Sequence, residues 1–477
     1  MDTISNIHSV SISLAQLRQC RASLGMYLQK FRNRLKGKNR VYVAQTVRLF
    51  DSIAAFMEKK LANEADADGN VSISQLMEGR GVDQIDLHKL IIYLQQSKLA
   101  RKVEGYARYE HQSKYEGDDQ DQRNGARSST PTLTLVQSFL EVLMNPATEG
   151  RFFYEKKDQN EIVLRYMLLD PTHHFKDIVE EARAVILLGG TMSPMEDYIQ
   201  HLFSYLPPDR IQTWTCGHII PSQNLLSIPL ARAEDGTPFN FTYENRNTPQ
   251  LITALGNSII SLASCIPDGL VVFFPSYAYL EKVITSWKAS DSYQRGQKIW
   301  DRLQKIKPVF QEVKASAVDE ILASYALSVS TSKGGLLLSV IGGKLSEGIN
   351  FSDALGRGVI VVGLPFPNTQ SAQWKAKLEY IEQSTMKRTG SIQEGKEASR
   401  NFYENACMRA VNQSIGRTIR HQGDFAGIML LDRRYESKRI RDKLPGWIKQ
   451  GMVDEGRGVK EASQRLQDFF EAKKHAP

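Results

Sequence analysis

The chain has 477 residues, of which 41% are hydrophobic and 24% are charged, and its net charge is +8. These proportions are those of globular domains and exclude a disordered or fibrous chain, while the length allows two or three domains. The positive charge favours a polyanionic partner. The four cysteines are far apart and form no C-x-x-C pair, so we expect neither a disulfide framework nor a self-contained metal site. No apolar run has the length of a membrane span and the first ten residues lack a signal-peptide pattern, so we expect a soluble protein without membrane contacts.

Residues 1–110 are predicted to be helical, because stretches such as 11–31 and 47–65 repeat apolar residues at helical spacing. Between these two stretches lies a basic cluster, formed by Lys30, Arg32, Arg34, Lys36, Lys38 and Arg40. Spaced basic side chains gain affinity for a nucleic-acid backbone by releasing its counterions. A solvated helix end would carry the same residues, and both interpretations stay open. Residues 111–132 are polar and are predicted to be flexible, and the apolar segment 133–144 is predicted to be a helix.

From residue 150 onward the pattern changes to strands that alternate with helices. The segments 151–157 and 162–171 are predicted to form a hairpin. Five apolar runs are predicted to be buried strands, and they lie within 184–194, 269–277, 336–343, 358–367 and 426–434. Short apolar strands separated by helices predict an α/β fold with a parallel sheet that is covered on both faces. Ligands of such sheets bind outside the carboxyl ends of the strands.

Three polar turns follow these strands. The first, 189–194, offers the hydroxyls of Thr191 and Ser193, although an ordinary strand-to-helix turn looks the same. The second places Ser276 and Tyr277 at the start of a helix, where Ser276 is equally well explained as an N-cap. The third, 342–351, combines three glycines with polar side chains and can lie close to a ligand, although ordinary loop chemistry stays possible. Its candidate binding residues are Lys344, Glu347, Gly348 and Asn350.

The stretch 405–421 is predicted to be a helix with one functional face. Its residues Gln413, Gly416, Arg417 and Arg420 follow each other at helical spacing, and its other faces carry apolar residues that can pack on a sheet. Two guanidiniums and an amide beside a glycine suit a phosphate chain. A solvated basic face is the alternative.

One stretch imitates a phosphate-binding loop. Residues 390–396 satisfy G-x-x-x-x-G-K, but Glu397 replaces the metal-binding Ser or Thr and no apolar strand precedes the glycine. We therefore reject it, so that the sequence contains no P-loop. It also contains no D-E-A-H-type acidic box.

Taken in order, the turns and the arginine segment resemble the XPD/Rad3-type superfamily 2 DNA helicases, in particular the chromosome-loss branch that is linked to sister-chromatid cohesion. GGTMSP (189–194) resembles motif III, VVFFPSYAYLEKV (271–283) motif IV, the segment 342–368 motif V, and QSIGRTIRH (413–421) motif VI. The resemblance covers about residues 150–450. Residues 1–148 resemble, less sharply, the helical Arch insert of that family.

The resemblance implies a split site for ATP and Mg²⁺ between two RecA-like domains. It assigns Gln413, Arg417 and Arg420 to the γ-phosphate, and Gly416, Glu347, Gly348 and Asn350 to the nucleotide side. It also implies single-stranded or forked DNA as a partner, contacted by Thr191, Ser193, Ser276, Tyr277, Lys344 and the basic cluster, of which Arg32, Arg34, Lys36 and Lys38 are the central members. Further implications are 5′→3′ unwinding, partners from cohesion and the replication fork, and a nuclear location.

The sequence departs from the family in two respects. Asn350 replaces an Asp that is frequent in the family, so we do not assign it the role of a general base. The segment with the P-loop, the acidic box and the four cysteines of a [4Fe-4S] cluster is absent, and residues 1–10 resemble the stretch that follows that box. We therefore expect a truncated chain with negligible ATPase activity on its own.

The resemblance also predicts a domain division. It comprises an Arch-like insert (1–148), a remnant of the first RecA-like domain (149–205) and the second RecA-like domain (206–477). Two alternatives remain at this point: a non-catalytic DNA- or partner-binding fragment of the same fold, and an unrelated α/β nucleotide-binding enzyme. The second alternative requires a phosphate loop, which only the rejected stretch offers.

Overall fold

The computed structural model describes most of the chain, namely residues 8–31, 33–35, 37–63, 68–79, 81–114, 132–145, 149–217, 220–289, 297–314, 318–331, 333–348, 350–417, 419–453 and 458–474. Most of the segment that we predict to be flexible lies outside these residues, as do Arg32 and Lys36 of the basic cluster. The chain divides into two compact units. One comprises Met1–Val185, Tyr198–Leu206 and Asn368–Gly395, and the other Ile186–Asp197, Pro207–Pro367 and Lys396–Pro477.

The strands in chain order are β1 Val10–Ser13, β2 Asp68–Val71, β3 Gly150–Lys156, β4 Ile162–Leu168, β5 Leu225–Leu230, β6 Gly269–Phe274, β7 Val309–Gln311, β8 Gly335–Val340, β9 Gly358–Val362 and β10 Ala426–Leu431. The helices are α1 Leu14–Phe31, α2 Lys38–Ala62, α3 Ile73–Leu76, α4 Leu87–Ser97, α5 Leu99–Lys114, α6 Thr132–Val142, α7 Thr172–Glu181, α8 Glu196–His201, α9 Pro249–Cys265, α10 Tyr277–Ala289, α11 Ile299–Ile306, α12 Val318–Val329, α13 Lys344–Gly348, α14 Ala372–Thr389, α15 Ile392–Ile415, α16 Lys438–Arg441, α17 Gly446–Gln450 and α18 Val459–Lys474. Short 3₁₀ turns lie at Pro208–Arg210, Ser222–Asn224, Asp353–Gly356 and Arg433–Glu436.

The first unit packs helices against a four-stranded antiparallel sheet with the order β1-β4-β3-β2. The predicted hairpin is confirmed, since Phe152 pairs with Tyr166 and Tyr154 with Leu164 across β3 and β4. The prediction of helix throughout 1–110 is wrong at β1 and β2. Each of these strands has only four residues, which is too short for an alternating pattern to stand out between long amphipathic helices. The Arch-like assignment and the division at residue 149 stay predictions.

The second unit is built on six parallel strands in the order β5-β10-β9-β6-β8-β7. Alternate residues of β6 enter different cores: Val272 packs with residues of α9–α11 and α18, and Val271 with residues of α12, α15 and α17. The predicted α/β sheet, covered on both faces, is therefore confirmed. The edge strands β5 and β7 were not predicted, because Pro229 interrupts the apolar run of β5 and β7 has only three residues.

The predicted buried strand at 184–188 is wrong. Ile186 and Leu188 are 75% and 90% exposed, and no described strand pairs with this segment. An apolar run becomes a strand only when a neighbouring chain satisfies its backbone hydrogen bonds. None of the described helices is long and apolar enough to cross a membrane.

Candidate functional site

The segment after β8 is anchored by a buried carboxylate. Glu312 is 2% exposed. It accepts hydrogen bonds from the hydroxyls of Tyr277 and Ser339, at 2.6 and 2.7 Å, and from the N–H groups of Val340 and Leu345, at 3.0 and 3.3 Å. A Cβ at Gly343 would lie 2.6 Å from Glu312 Oε1, so this position requires glycine. The start of α13 is therefore fixed to the carboxyl end of the sheet.

The same segment then crosses to the opposite edge of the sheet. It leaves the carboxyl end of β8 at Val340 and enters the amino end of β9 at Gly358. On the way, the N–H of Phe351 donates to the carbonyl of Arg417 at 3.1 Å. The loop 342–351 and the arginine segment, which are far apart in the sequence, are thus joined by their backbones.

A second buried acid completes this junction. Asp424 is 1% exposed and accepts from Nη1 of Arg357 at 2.9 Å and from the N–H of Arg420 at 3.3 Å. The guanidinium of Arg357 also lies 3.8 Å from the ring centroid of Phe425, as expected for a cation–π contact. The exposed pair of His421 and Asp353 makes a further contact, with Nε2 and Oδ1 2.8 Å apart. These residues immediately precede β9 and β10, so the junction lies at the amino edge of the sheet.

The predicted helix 405–421 is wrong in its last turn and a half. Helix α15 ends at Ile415, so that Gln413 is exposed on the helix, whereas Gly416 and Arg417 lie in the turn that follows and Arg420 lies beyond it. The N–H of Gly416 still donates to Asn412, but the carbonyl of Arg417 bonds to the loop. A tertiary hydrogen bond thus replaces a helical one at Arg417, and the four residues do not share one helical face. The side chain of Arg420 is exposed.

The turn 189–194 belongs to the same unit. It lies beside the end of α15, and the residues that follow it contact that helix. A Cβ at Gly416 would lie 3.3 Å from Cγ2 of Thr191. Further along, Asp197 is 3% exposed and accepts from Nδ2 of Asn405 at 2.8 Å and Nη2 of Arg409 at 2.6 Å. Burial raises the pKa of Asp197, and the hydrogen bonds and the positive charge of Arg409 oppose this effect.

The side chains predicted to contact DNA differ in their surroundings. The hydroxyl oxygen of Ser276 accepts from the N–H of Tyr279 at 3.2 Å, which is the N-cap interpretation, and Tyr277 is bonded to Glu312. Thr191 and Ser193 are half-buried, whereas Lys344 is exposed. In the other unit Arg34 and Lys38 are exposed. On the nucleotide side, Asn350 is exposed, and the side chain of Glu347 and the surroundings of Gly348 lie outside the description.

Within the part of the chain that the structure describes, the side chains do not fit a metal cofactor of the implied kinds. The four cysteines lie on separate elements, and burial raises the pKa of the Cys20 thiol to about 12, which disfavours the thiolate that an iron–sulfur cluster requires. Among the described residues, Asp353, His421 and Asp424 form a group of possible ligands. Because Asp424 is already bonded to Arg357 and backbone N–H groups, this group does not suit Mg²⁺.

The stretch rejected as a phosphate-binding loop is a connection between helices. Gly390 ends α14 with a φ of +73°, as a C-terminal glycine does, and Ser391 accepts from the N–H of Glu394 at the start of α15. No strand leads into it, so its rejection agrees with the structure.

Comparison with known proteins places these segments in a family. Residues 259–451 match the model of the helicase C-terminal domain. The chain is 51% identical to ATP-dependent DNA helicase chl1 of Aspergillus niger, over 99% of this chain and 54% of that protein. It is also 51% identical to ATP-dependent DNA helicase CHL1 of Coccidioides immitis, over 99% of this chain and 55% of that protein.

Over nearly its whole length the chain is thus similar to ATP-dependent DNA helicases named CHL1. A solved structure of Xpd4 from S. tokodaii shares the fold at 15% identity, with a TM-score of 0.52, over 94% of this chain and 72% of that one. The chain spans about half the length of the curated relatives that it matches. The resemblance noted from motifs III–VI is therefore confirmed at the level of family and fold.

Sequence reasoning missed Glu312, Asp424 and Asp197. Each of these acids is almost fully buried and holds two segments of this helicase-family fold together. In the sequence they stand alone, without a motif spacing that would distinguish them from surface acids. Only their burial reveals them, because a buried carboxylate must be compensated by several donors.

Proposed function

We propose that this chain forms the part of an ATP-dependent DNA helicase that completes a nucleotide site and contacts single-stranded or forked DNA. The observation that carries the proposal is the junction of the loop 342–351 with the segment 416–424. It brings together the two segments that the resemblance assigns to the nucleotide, through a backbone hydrogen bond and the ion pair of Arg357 with Asp424.

In this proposal Gln413, Arg417 and Arg420 face the γ-phosphate of ATP, and Gly416, Glu347, Gly348 and Asn350 lie on the nucleotide side. Arginines that meet a transferred phosphoryl group stabilise its developing charge and accelerate transfer by roughly 10³–10⁵-fold. Mg²⁺ would enter together with ATP and would supply charge neutralisation at the phosphates. Because a phosphate-binding loop is needed opposite these arginines, hydrolysis depends on closure of two domains, and we expect this chain to be inactive alone.

The finer assignments follow from the family. They are 5′→3′ unwinding, a role in sister-chromatid cohesion, partners from cohesion and the replication fork, DNA repair and a nuclear location. The full family would also carry a [4Fe-4S] cluster. The exposed Lys344 and the exposed basic residues Arg34 and Lys38 support contact with a nucleic-acid backbone.

Binding of fluorescent oligothymidylate to the purified chain, measured by anisotropy over a range of salt concentrations, tests the DNA-binding half of the proposal. We expect the logarithm of the affinity to fall linearly with the logarithm of the salt concentration, with a slope of about −0.7 per neutralised phosphate. Replacing Arg34 and Lys38 together by Ser should reduce the steepness. A chain that binds no DNA at low salt would refute this half.

A second candidate function is a non-catalytic fragment that binds DNA or a protein partner. It is favoured by the exposed apolar residues Ile186 and Leu188, which lie beside the turn 189–194. ATP binding by the chain, measured with a fluorescent nucleotide and abolished by Arg417→Ala, would argue against it.

A further inference from the structure

An arginine on the loop after β5 lies against two tyrosines, one on the same loop and one on α10. The guanidinium carbon of Arg246 is 5.1 Å from the ring centroid of Tyr243 and 5.4 Å from that of Tyr279. Tyr279 is 2% exposed, whereas Tyr243 is 79% exposed. The ring of Tyr279 thus belongs to the core, and the ring of Tyr243 is exposed to solvent. The planar guanidinium of Arg246 makes a cation–π contact with each of them.

Hydrogen bonds and a ring contact define the conformation of this turn. Thr242 holds the turn, since its carbonyl accepts from the N–H groups of Asn245 and Arg246, at 3.1 and 2.9 Å, and its hydroxyl accepts from Nδ2 of Asn245 at 3.0 Å. Phe241 packs on Tyr279, with ring centroids 6.4 Å apart. An exposed tyrosine on a fixed turn loses little conformational entropy when a flat ligand stacks on it.

The buried polar atoms of the arrangement lack partners. Among the described residues, neither the hydroxyl of Tyr279 nor Nε of Arg246 has a hydrogen-bond partner, although both atoms are buried. Arg246 also makes no ion pair with any described carboxylate, including its neighbour Glu244. Buried donors that are left unpaired carry a free-energy penalty, which an incoming acceptor such as a phosphate oxygen would relieve.

The location is the carboxyl edge of the sheet. The carbonyl of Phe239 accepts from the N–H of Arg433 just after β10, a Cβ at Gly363 just after β9 would lie 2.8 Å from Phe241, and Tyr279 follows β6 on the helix that begins next to Ser276. Open parallel sheets bind their ligands at this edge. The arginine segment lies at the opposite edge, so the Tyr243–Arg246 site is separate from the nucleotide side.

We propose that Tyr243, Arg246 and the hydroxyl of Tyr279 form a subsite for single-stranded nucleic acid, in which a base stacks on Tyr243 and the adjoining phosphate accepts from Arg246. The proposal rests on the proposed DNA-binding function, and it adds Tyr243 and Arg246, which lie outside the segments that resemble motifs III–VI. Stacking on an aromatic ring is tolerant of sequence, so we expect no base preference.

Anisotropy with the 477-residue chain and fluorescent oligothymidylate tests the subsite. Tyr243→Ala should weaken binding about tenfold without changing the salt slope, whereas Tyr243→Phe should bind like the wild type. Arg246→Ala should reduce the steepness of the salt dependence by about 0.7. Tyr109→Ala is the matched control, since Tyr109 is 66% exposed on α5, and it should change nothing.

An abasic oligonucleotide separates stacking from backbone contact. On this probe Tyr243→Ala should bind as tightly as the wild type, while Arg246→Ala should still bind more weakly. Tyr279→Phe removes an unpaired hydroxyl, so it should leave thermal stability unchanged or higher but weaken binding. If the wild type binds oligothymidylate and Tyr243→Ala binds it equally tightly, the subsite is overturned while the proposed function stands. A wild type that does not bind would overturn the subsite together with the proposed function.

Discussion

At the scale of single residues, buried carboxylates organise the second unit. Glu312 connects three parts of the chain, because its oxygens accept from Tyr277 after β6, from Ser339 on β8 and from Leu345 in α13. Removing the carboxylate would take this acceptor away from the buried Ser339 and from the N–H groups of Val340 and Leu345, and an unsatisfied buried donor costs about 1–3 kcal/mol. The cost of losing Glu312 therefore exceeds that of losing an ordinary hydrogen bond.

We expect Glu312→Ala to lower the free energy of unfolding by about 3 kcal/mol or more. Glu312→Gln should cost less, because the amide keeps the shape of the side chain and one acceptor. Glu281→Ala is the matched control on an exposed position of α10, with an expected change within about 0.5 kcal/mol. Urea unfolding followed by circular dichroism measures all three. A loss for Glu312→Ala no larger than the control's would show that the carboxylate is not an anchor.

At the scale of elements, α15 and the start of α8, which follows the turn 189–194, are held together by a buried ion pair. Asp197 binds Asn405 and Arg409 on one face of α15, and Asn405 in turn accepts from Lys443 just after α16. Burial lowers the pKa of Lys443, while the carboxylate of Glu404 opposes this effect. The helix that ends at the arginine segment therefore has its position set some six to ten residues before its end.

The raised pKa of Asp197 gives a pH dependence with a definite sign. Its carboxyl keeps a proton to a higher pH in the folded chain than in the unfolded chain, where the ordinary value is 3.8. The corresponding stability is fully present below pH 3.8 and is lost as the pH rises through the folded pKa. Asp197→Asn does not titrate. The free energy of unfolding of this variant, relative to that of the wild type, should therefore rise as the pH rises above 3.8. Urea unfolding at a series of pH values measures this difference. A difference that stays constant with pH would contradict the assignment.

At the scale of the whole molecule, the two edges of the parallel sheet carry different chemistry. The amino edge holds the arginine segment and the buried Asp424, and the carboxyl edge holds Ser276, Lys344 and the Tyr243–Arg246 subsite. The segment after β8 runs from one edge to the other. A change at the nucleotide side thus has a short covalent route to the proposed nucleic-acid side.

We expect the purified 477-residue chain to show no Mg²⁺-dependent ATP hydrolysis above the background of an Arg417→Ala control. Arginines accelerate phosphoryl transfer only when the phosphates are held opposite them, and the single G-x-x-x-x-G-K stretch lies at the start of α15. A coupled assay with and without oligothymidylate measures this. Robust turnover that Arg417→Ala abolishes would mean that the phosphate-holding residues lie within this chain.

The sequence by itself determined the α/β class, the four inner strands of the six-stranded parallel sheet, and the family resemblance. The inner strands β6, β8, β9 and β10 were predictable because burial on both faces demands continuous apolar runs. The motifs were recognisable because each is a contiguous stretch. The edge strands and the false strand at 184–188 show the limit, since apolarity does not reveal which neighbour will supply hydrogen bonds.

Only the tertiary structure decided where α15 ends, which edge of the sheet the arginine segment occupies, and which acids are buried. These features depend on hydrogen bonds between residues far apart in the sequence, such as Phe351 with Arg417 and Glu312 with Tyr277. A local pattern encodes the preference of a segment for helix or strand. The partner that overrides this preference lies elsewhere in the chain and becomes visible only when the chain has folded.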